Sequence, residues 1–432
     1  MRVICGGDSG LIKVIDPQRQ SVLFQMGEQG KDRSVEFLKW ANPSSEAEIV
    51  VGYKTGEIEF YFPGTGQQRF SLTRSELTNI QGLYSENRGN NRNIITCNDE
   101  GLVEIFQFGL NNLAEQEEQS EEEEAEKEAD AIKKPNTIKL KSSVTSFSVG
   151  LANVSVMEVV NLGNNKLELA VGGKGNLMKI FDVETQKVVY RAKNVPHDYL
   201  NLESPIWDNG ITFLGKPDQI NANLFCTRTA YHQIRFHDRR AKRAPITQRS
   251  IGDCTFTSLI ASPKCDKEVL VGNAIGKMFR YNFENLQKKT LYSYKMMSGS
   301  VRDIQIHPSG EHVITSSTDR YVRVYDLEGS KKPLHSMYLV QRQNCSLVTS
   351  EGMNEIESDE DDDDQDEKDE KVQEPEEEEP VLDKKDPKNQ VWIKLKKKAH
   401  EEKLDSDDEG DDDDDDDDED DGDLDDDESD DD

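Results

Sequence analysis

Apolar and polar positions alternate along this chain in short runs, and the runs recur. An apolar segment leads into a tight turn rich in Gly, Asp or Lys, and a second alternating segment follows, often ending near Asp. The copies read CGGDSGLIKVID from Cys5, VGYKTGEIEFYF from Val51, TCNDEGLVEIFQF from Thr96 and VGGKGNLMKIFDV from Val171. CTRTAYHQIRFHD from Cys226, VGNAIGKMFRYNF from Val271 and TSSTDRYVRVYDL from Thr315 complete seven. Period-two alternation bounded by turn residues predicts short strands joined as hairpins. Successive copies start 46, 45, 75, 55, 45 and 44 residues apart.

A strand-built period of about 40–45 residues points to radial blades. The chain is therefore predicted to be all-β, a seven-bladed WD40-type β-propeller over residues 1–350. Each blade needs four strands, a to d from the axis outward. The second unit supplies SVEFLKW (34–40), EIVVGYK (48–54), EIEFYF (57–62) and RFSL (69–72). The first supplies three: RVICGG, LIKVID and SVLFQM. Its missing inner strand is expected from the apolar segment Asn344–Ser350, which follows an outer strand near His335–Leu339. Such a clasp would remove the open sheet edges that invite aggregation; a loose C-terminal strand is the alternative.

Two spacings exceed the period. The longest holds an acidic insertion at about 112–135, placed between strand c (Leu102–Phe108) and an outer strand expected over Thr137–Lys141. The other holds RAKNVPHDYLNLESPIWD (Arg191–Asp208), ahead of an inner strand expected over Ile206–Leu214. Links b-to-c and d-to-a leave one face of a propeller, and a-to-b and c-to-d leave the other. Arg191–Pro205 should thus join the turns of Asp8, Lys54, Asp99, Lys174 and Asp319. The insertion and the basic loop Asp238–Arg243 should share the opposite face.

Charge divides the chain further. Residues 351–432 hold 45 Asp/Glu against 10 Lys, while the whole chain carries −34. The body is thus mildly basic once the insertion is set aside. The tail has a single aromatic residue, Trp392, and cannot bury enough apolar surface to order itself, so it is read as a disordered acidic tail. Six dispersed cysteines with no CxxC spacing suggest reduced thiols in an intracellular protein. The N-terminus lacks a signal peptide's apolar core, and no run approaches the roughly 20 apolar residues of a membrane span. A soluble protein without membrane partners is expected.

Candidate chemistry is sparse. GxSxG, P-loop and HExxH patterns are missing, so no enzyme, cofactor or metal is expected. GGDSG is a strand turn without a following helix. His232 and His237 are five apart, on opposite faces of a strand, and read as structural or surface histidines. Asp319 occupies a hairpin position where its carboxylate would accept backbone N–H bonds. The basic loop offers Arg239, Arg240, Lys242 and Arg243. It reads as a solvated loop, as a contact for RNA phosphates, or as a nuclear localisation signal. In the tail, Val391, Trp392 and Leu395 form an apolar–basic island (391–398) that resembles a docking motif. Acid runs Asp359–Asp364 and Asp411–Asp418 serve solubility, screen the basic body or bind basic proteins. Ser358, Ser406 and Ser429 precede acids and suit acid-directed phosphorylation.

One stretch exceeds generic propeller sequence. RAKNVPHDYLNLESPIWDNGITFL (191–214) resembles the signature of the WD repeat-containing protein 74 family of nucleolar assembly factors of the large ribosomal subunit. GGKGNLMKIFD (172–182), TRTAYHQIRFHD followed by RAP (227–245), GSVRDIQIHPSGEHVITSSTDRYVRVYD (299–326), MYLVQRQNCSLV (337–348) and VWIKL (391–395) also match. The likeness covers roughly residues 1–350. It implies a non-catalytic scaffold in early nucleolar precursors of the 60S subunit, acting as one copy within a larger complex. It further implies contact with other assembly factors and pre-rRNA, release by a valosin-like AAA ATPase, and links to the nuclear exosome helicase. Its docking surface would include Lys193, Asn194, Asp198, Leu200, Pro205, Trp207 and Asp208. Packing at the blade junction is the other reading of Pro205 and Trp207. The chain departs from the family at Glu203-Ser204-Pro205, where Arg-Val-Pro is usual, and in an acidic rather than Lys-rich end. Import would rest on Lys133-Lys134, the 239–243 loop or residues 394–398. An acidic histone chaperone and a WD-repeat adaptor of a ubiquitin ligase are the rival readings.

Overall fold

The repeating units fold as seven four-stranded antiparallel sheets in the computed structural model. It describes residues 1–42, 44–72, 79–109, 143–163, 166–197, 199–216, 219–251, 254–284 and 292–352. A second unit, Glu357–Asp432, lies outside those residues, as does the stretch about 112–135.

In the second blade the strands are Val35–Trp40, Ile49–Tyr53, Ile58–Tyr61 and Gln68–Leu72. The buried apolar stripe explains their order. Strand b is buried throughout, whereas the outer strand is only half-buried. The same gradient runs through the other blades, so seven apolar clusters fill the gaps between neighbouring sheets.

The first sheet takes its strand a from the far end of the chain. Gln343–Val348 pairs antiparallel with Val3–Gly7, in register from Val3 opposite Val348 to Gly6 opposite Cys345. Further bonds fasten this closure. Trp40 Nε1 donates to the Val348 carbonyl at 3.2 Å. Asp303 of the seventh blade accepts from the Ser346 N–H at 2.8 Å.

Strand-b glycines allow the next blade to approach. A Cβ on Gly6 would lie 2.5 Å from Val35, and one on Gly272 would lie 2.7 Å from Val301. Both partners begin the inner strand of the following blade, so any larger residue would prise two blades apart.

Another recurring feature joins blades through charge. Glu48, Glu168 and Glu268 each stand four residues before a strand-b glycine and are buried. Arg92 of the third blade pairs with Glu48, Arg239 of the fifth with Glu168, and Arg280 with Glu268 at 2.5 Å. Arg280 also reaches the Leu327 carbonyl of the seventh blade at 3.2 Å. A buried carboxylate is tolerated only with such a partner, so these arginines are part of the architecture.

The third blade's outer strand is Ser143–Ser148, not Thr137–Lys141, which lies outside the described residues. The fifth blade's inner strand is Asp208–Lys216, two residues later than the apolar pattern suggested. Ile206 and Trp207 are spent instead on joining the fourth blade.

Candidate docking surface

The linker between the fourth and fifth blades, residues 192–207, is fastened at both ends and open between them. At its start the Lys193 N–H donates to the Arg243 carbonyl at 2.9 Å. The Tyr190 hydroxyl donates to the same oxygen at 2.9 Å, and Arg243 Nε returns a bond to the Arg191 carbonyl at 2.7 Å. The linker thus begins against the basic loop of the fifth blade. The meeting point is Arg243 alone, since Arg239 at the start of that loop bonds Asn223 and Glu168 instead.

At the other end, Ile206 accepts from Gly175 N at 2.8 Å and Trp207 accepts from Ala230 N at 3.0 Å. Trp207 and Lys174 form an antiparallel bridge. The Trp207 indole is half-buried, and its N–H donates to Ser155 Oγ at 3.3 Å. The Lys174 ammonium stands 4.8 Å from the ring centroid, and Tyr231 packs against it edge-on at 6.3 Å. These contacts make Trp207 a joint between blades four and five, which uses its polar handle internally.

Asn194 closes the base of the loop. Its amide donates to the Ser204 carbonyl at 2.7 Å and to Glu203 at 3.3 Å, and its own oxygen accepts from Val195 N at 2.9 Å. The Glu203 anion therefore helps shut the loop. Lys193, Leu200 and Pro205 are exposed on it, and Asp198 lies outside the described residues. Beside Leu200 stand two residues that the sequence reading passed over, Leu202 and Tyr199, the latter 94% exposed. Their signal was present in HDYLNL, where apolar residues fall inside a stretch that exceeds the repeat. Apolar side chains held in water by a closed loop make this a candidate protein contact.

Asp208 does not belong to that surface. It is the first residue of an inner strand and points inside, where burial pushes its pKa up to about 6 while nearby Arg235 eases it. Arg235 is itself buried, held by Gln248 at 2.9 Å and Gln233 at 3.1 Å. His237 is buried beyond it, stacked 4.6 Å from Phe225. Burial, then Arg235, pulls its pKa down to about 3.

Most of the basic loop is committed to the fold. Arg239 pairs with buried Glu168, Arg240 holds Asp238 at 3.0 Å, and Arg243 caps the strand edge at Arg191. Lys242 is exposed and pairs with no described carboxylate. Asp319 is likewise a structural turn: it accepts from Tyr321 N at 3.0 Å and Ser298 N at 3.3 Å, and pairs with Arg323 at 2.8 Å. Burial alone would raise its pKa, but Arg323 and Ser317 outweigh this and hold it low. Arg323 is buried, while Arg320 is exposed. Val391, Trp392 and Leu395 lie outside the described residues.

A channel of about 410 Å³ follows the axis, where Glu36, Glu158 and Asp303 face Lys39, Arg228 and Arg302. Among the described residues no group of three or more His, Cys, Asp or Glu side chains is placed to hold a metal ion.

Seven four-stranded sheets, the first closed by a terminal strand, define a WD40-type β-propeller. One chain of a crystal structure of the mitotic checkpoint complex shares this fold, with a TM-score of 0.55 at 15% identity, covering 76% of this chain and 84% of that one. No protein-family model matches the chain. The chain is homologous to WD repeat-containing protein 74 of Bos taurus, 24% identical over 359 residues, which span 82% of this chain and 83% of that protein. It is also homologous to ribosome biogenesis protein NSA1 of Meyerozyma guilliermondii, 29% identical over 192 residues, 37% of this chain and 46% of that one.

Proposed function

We propose that this propeller is a non-catalytic scaffold in biogenesis of the large ribosomal subunit. The observation that carries the reading is its homology to WD repeat-containing protein 74 together with a relative whose name states ribosome biogenesis. The loop 193–205 supports it physically, because a closed loop with an apolar tip suits docking rather than chemistry. Lys193, Leu200 and Pro205, with Tyr199 and Leu202, would meet other assembly factors in early nucleolar particles. Asn194 and Trp207 would hold the loop in place. Pre-rRNA would be touched through Lys242 and the outer edge of the basic loop, whose remaining cations serve the fold. A nuclear and nucleolar location, release by an AAA ATPase and a link to the exosome helicase complete the reading.

The test is affinity purification of the tagged full chain from nuclear extract, with associated RNA sequenced and proteins identified. Precursors of the large-subunit rRNA should be enriched together with assembly factors. Histones or ubiquitin-ligase subunits without precursor rRNA would overturn the reading.

A further inference from the structure

Six large apolar side chains are more exposed than any others among the described residues: Tyr199, Val340, Met296, Leu200, Leu202 and Ile275. All six lie in b-to-c turns or d-to-a linkers, on one face of the ring. Three belong to the loop described above. Ile275, Met296 and Val340 do not; they come from the turn of the sixth blade and the linkers entering the seventh and first blades.

These linkers and turns touch one another in sequence round the face. Gly276, beside Ile275, packs on the Met297 carbonyl, and Ser298 N donates to Asp319 at 3.3 Å. Leu339 N then donates to the Arg320 carbonyl at 2.9 Å, and Asp8 N to the Arg342 carbonyl at 3.1 Å. The three apolar side chains therefore share a continuous sector over blades six, seven and one.

Backbone conformation in this sector is unusual. Gln341 N donates to the Leu339 carbonyl at 2.8 Å and closes a three-residue turn round Val340, whose φ is 70°. That is the rare and strained hand of the γ-turn, and a β-branched residue at positive φ is a steric outlier. The turn leaves Val340 67% exposed, so its side chain gains no burial in return. Met296 and Arg320 also have positive φ, 72° and 71°. Strain that holds apolar side chains in water points to use by something outside the chain.

Charge narrows the identity of that partner. Lys277, Lys295, Arg320 and Arg342 are exposed in the same sector, and none forms an ion pair with a described carboxylate, Arg320 donating instead to the Tyr338 hydroxyl at 3.1 Å. Asp8 is an exposed acid beside them, Glu28 and Asp32 are exposed with Lys31 on the next linker, and Asp319 is occupied by Arg323. A phosphate backbone would use the cations and leave Val340, Met296 and Ile275 in water. An uncharged apolar partner would bury cations unpaired, which is costly. Only an acidic segment with apolar side chains answers both features.

We propose that the face of blades six, seven and one docks an acidic segment of a partner protein through aliphatic or aromatic anchors set on Ile275, Met296 and Val340. The surface is separate from the loop at 193–205 and stands whether or not the ribosomal reading holds.

The test uses the full chain and three labelled probes of equal length: a peptide alternating Glu and Leu, poly-Glu, and oligouridine RNA. The Glu–Leu peptide should bind most tightly by fluorescence anisotropy. Val340→Gly with Met296→Ser should weaken it about tenfold, the scale of one lost buried anchor. Val340→Gly alone should also weaken it without lowering the melting temperature, because glycine accepts that φ freely. Lys295→Glu with Arg320→Glu should weaken binding and flatten its salt dependence. A photoreactive residue at position 340 should crosslink the Glu–Leu peptide. Unchanged binding by the Val340→Gly/Met296→Ser chain, tighter binding of oligouridine than of the Glu–Leu peptide, or crosslinks confined to the chain's own residues 353–432 would each overturn the proposal.

Discussion

The linkers that enter the fifth and the first blades both hold apolar side chains in water on the same face, by opposite means. Sixteen residues separate Arg191 from Asp208, and only four separate Tyr338 from Gln343. The long linker spends length: Asn194 shuts its base, Trp207 and Lys174 anchor its end, and Tyr199, Leu200 and Leu202 are exposed at its tip. The short linker has no length to spend, and a tight turn at positive φ pushes Val340 outward instead. In the first case the exposed residues can be altered without touching the packing beneath. In the second the exposed residue is part of the strained backbone, so display and stability are coupled.

This contrast rests on a platform under the long linker, and removing that platform should have the largest effect. Arg239→Ala would leave Glu168 buried without its cation, a loss of about 3 kcal/mol or more. Arg240→Ala, one position on, removes only a solvent-exposed pair and should leave stability almost unchanged. Urea denaturation of both variants separates the two arginines; equal losses would mean that the basic loop is not part of the blade junction.

A smaller effect should appear on acidification. Burial holds His237 neutral with a pKa near 3, whereas an unfolded histidine takes its proton near pH 6.5. As pH falls below that value, the unfolded chain binds the proton first, so stability that is full above about pH 6.5 is lost towards pH 3. Asp208 works in the opposite direction. Burial raises its pKa to about 6, the folded chain therefore binds its proton first, and it offsets part of the loss between about pH 6 and pH 4. His237→Phe keeps an aromatic ring beside Phe225 and removes the histidine contribution. Its melting temperature should fall less than the parent's between about pH 7 and pH 5. An identical fall in both chains would place His237 outside the acid response.

The ring was legible because turn residues at fixed offsets repeat with the strands, and inner strands are apolar enough to stand out. Outer strands are less so. Residues Val144–Phe147 are partly or largely exposed, which is why Ser143–Ser148 carried too weak an apolar pattern to be placed correctly. Asp208 was misplaced because a charged residue reads as surface, yet its position at the start of an inner strand turns it inward. The recurring acid four residues before the strand-b glycine was present in EIVVG, ELAVG and EVLVG. Its meaning needed the neighbouring blades, since Arg92 and Arg239 arrive from 44 and 71 residues away. Val340 carried no signal at all, because sequence does not record φ.

The tip of the long linker offers the most direct test of the account. Tyr199→Ser, Leu200→Ser and Leu202→Ser combined, in the tagged full chain, should leave the melting temperature unchanged because none of the three packs in the core. The decisive quantity is the amount of large-subunit precursor rRNA recovered per mole of purified protein. A drop of about tenfold or more, at unchanged stability, is the predicted result. Recovery equal to that of the parent chain would contradict docking through this loop.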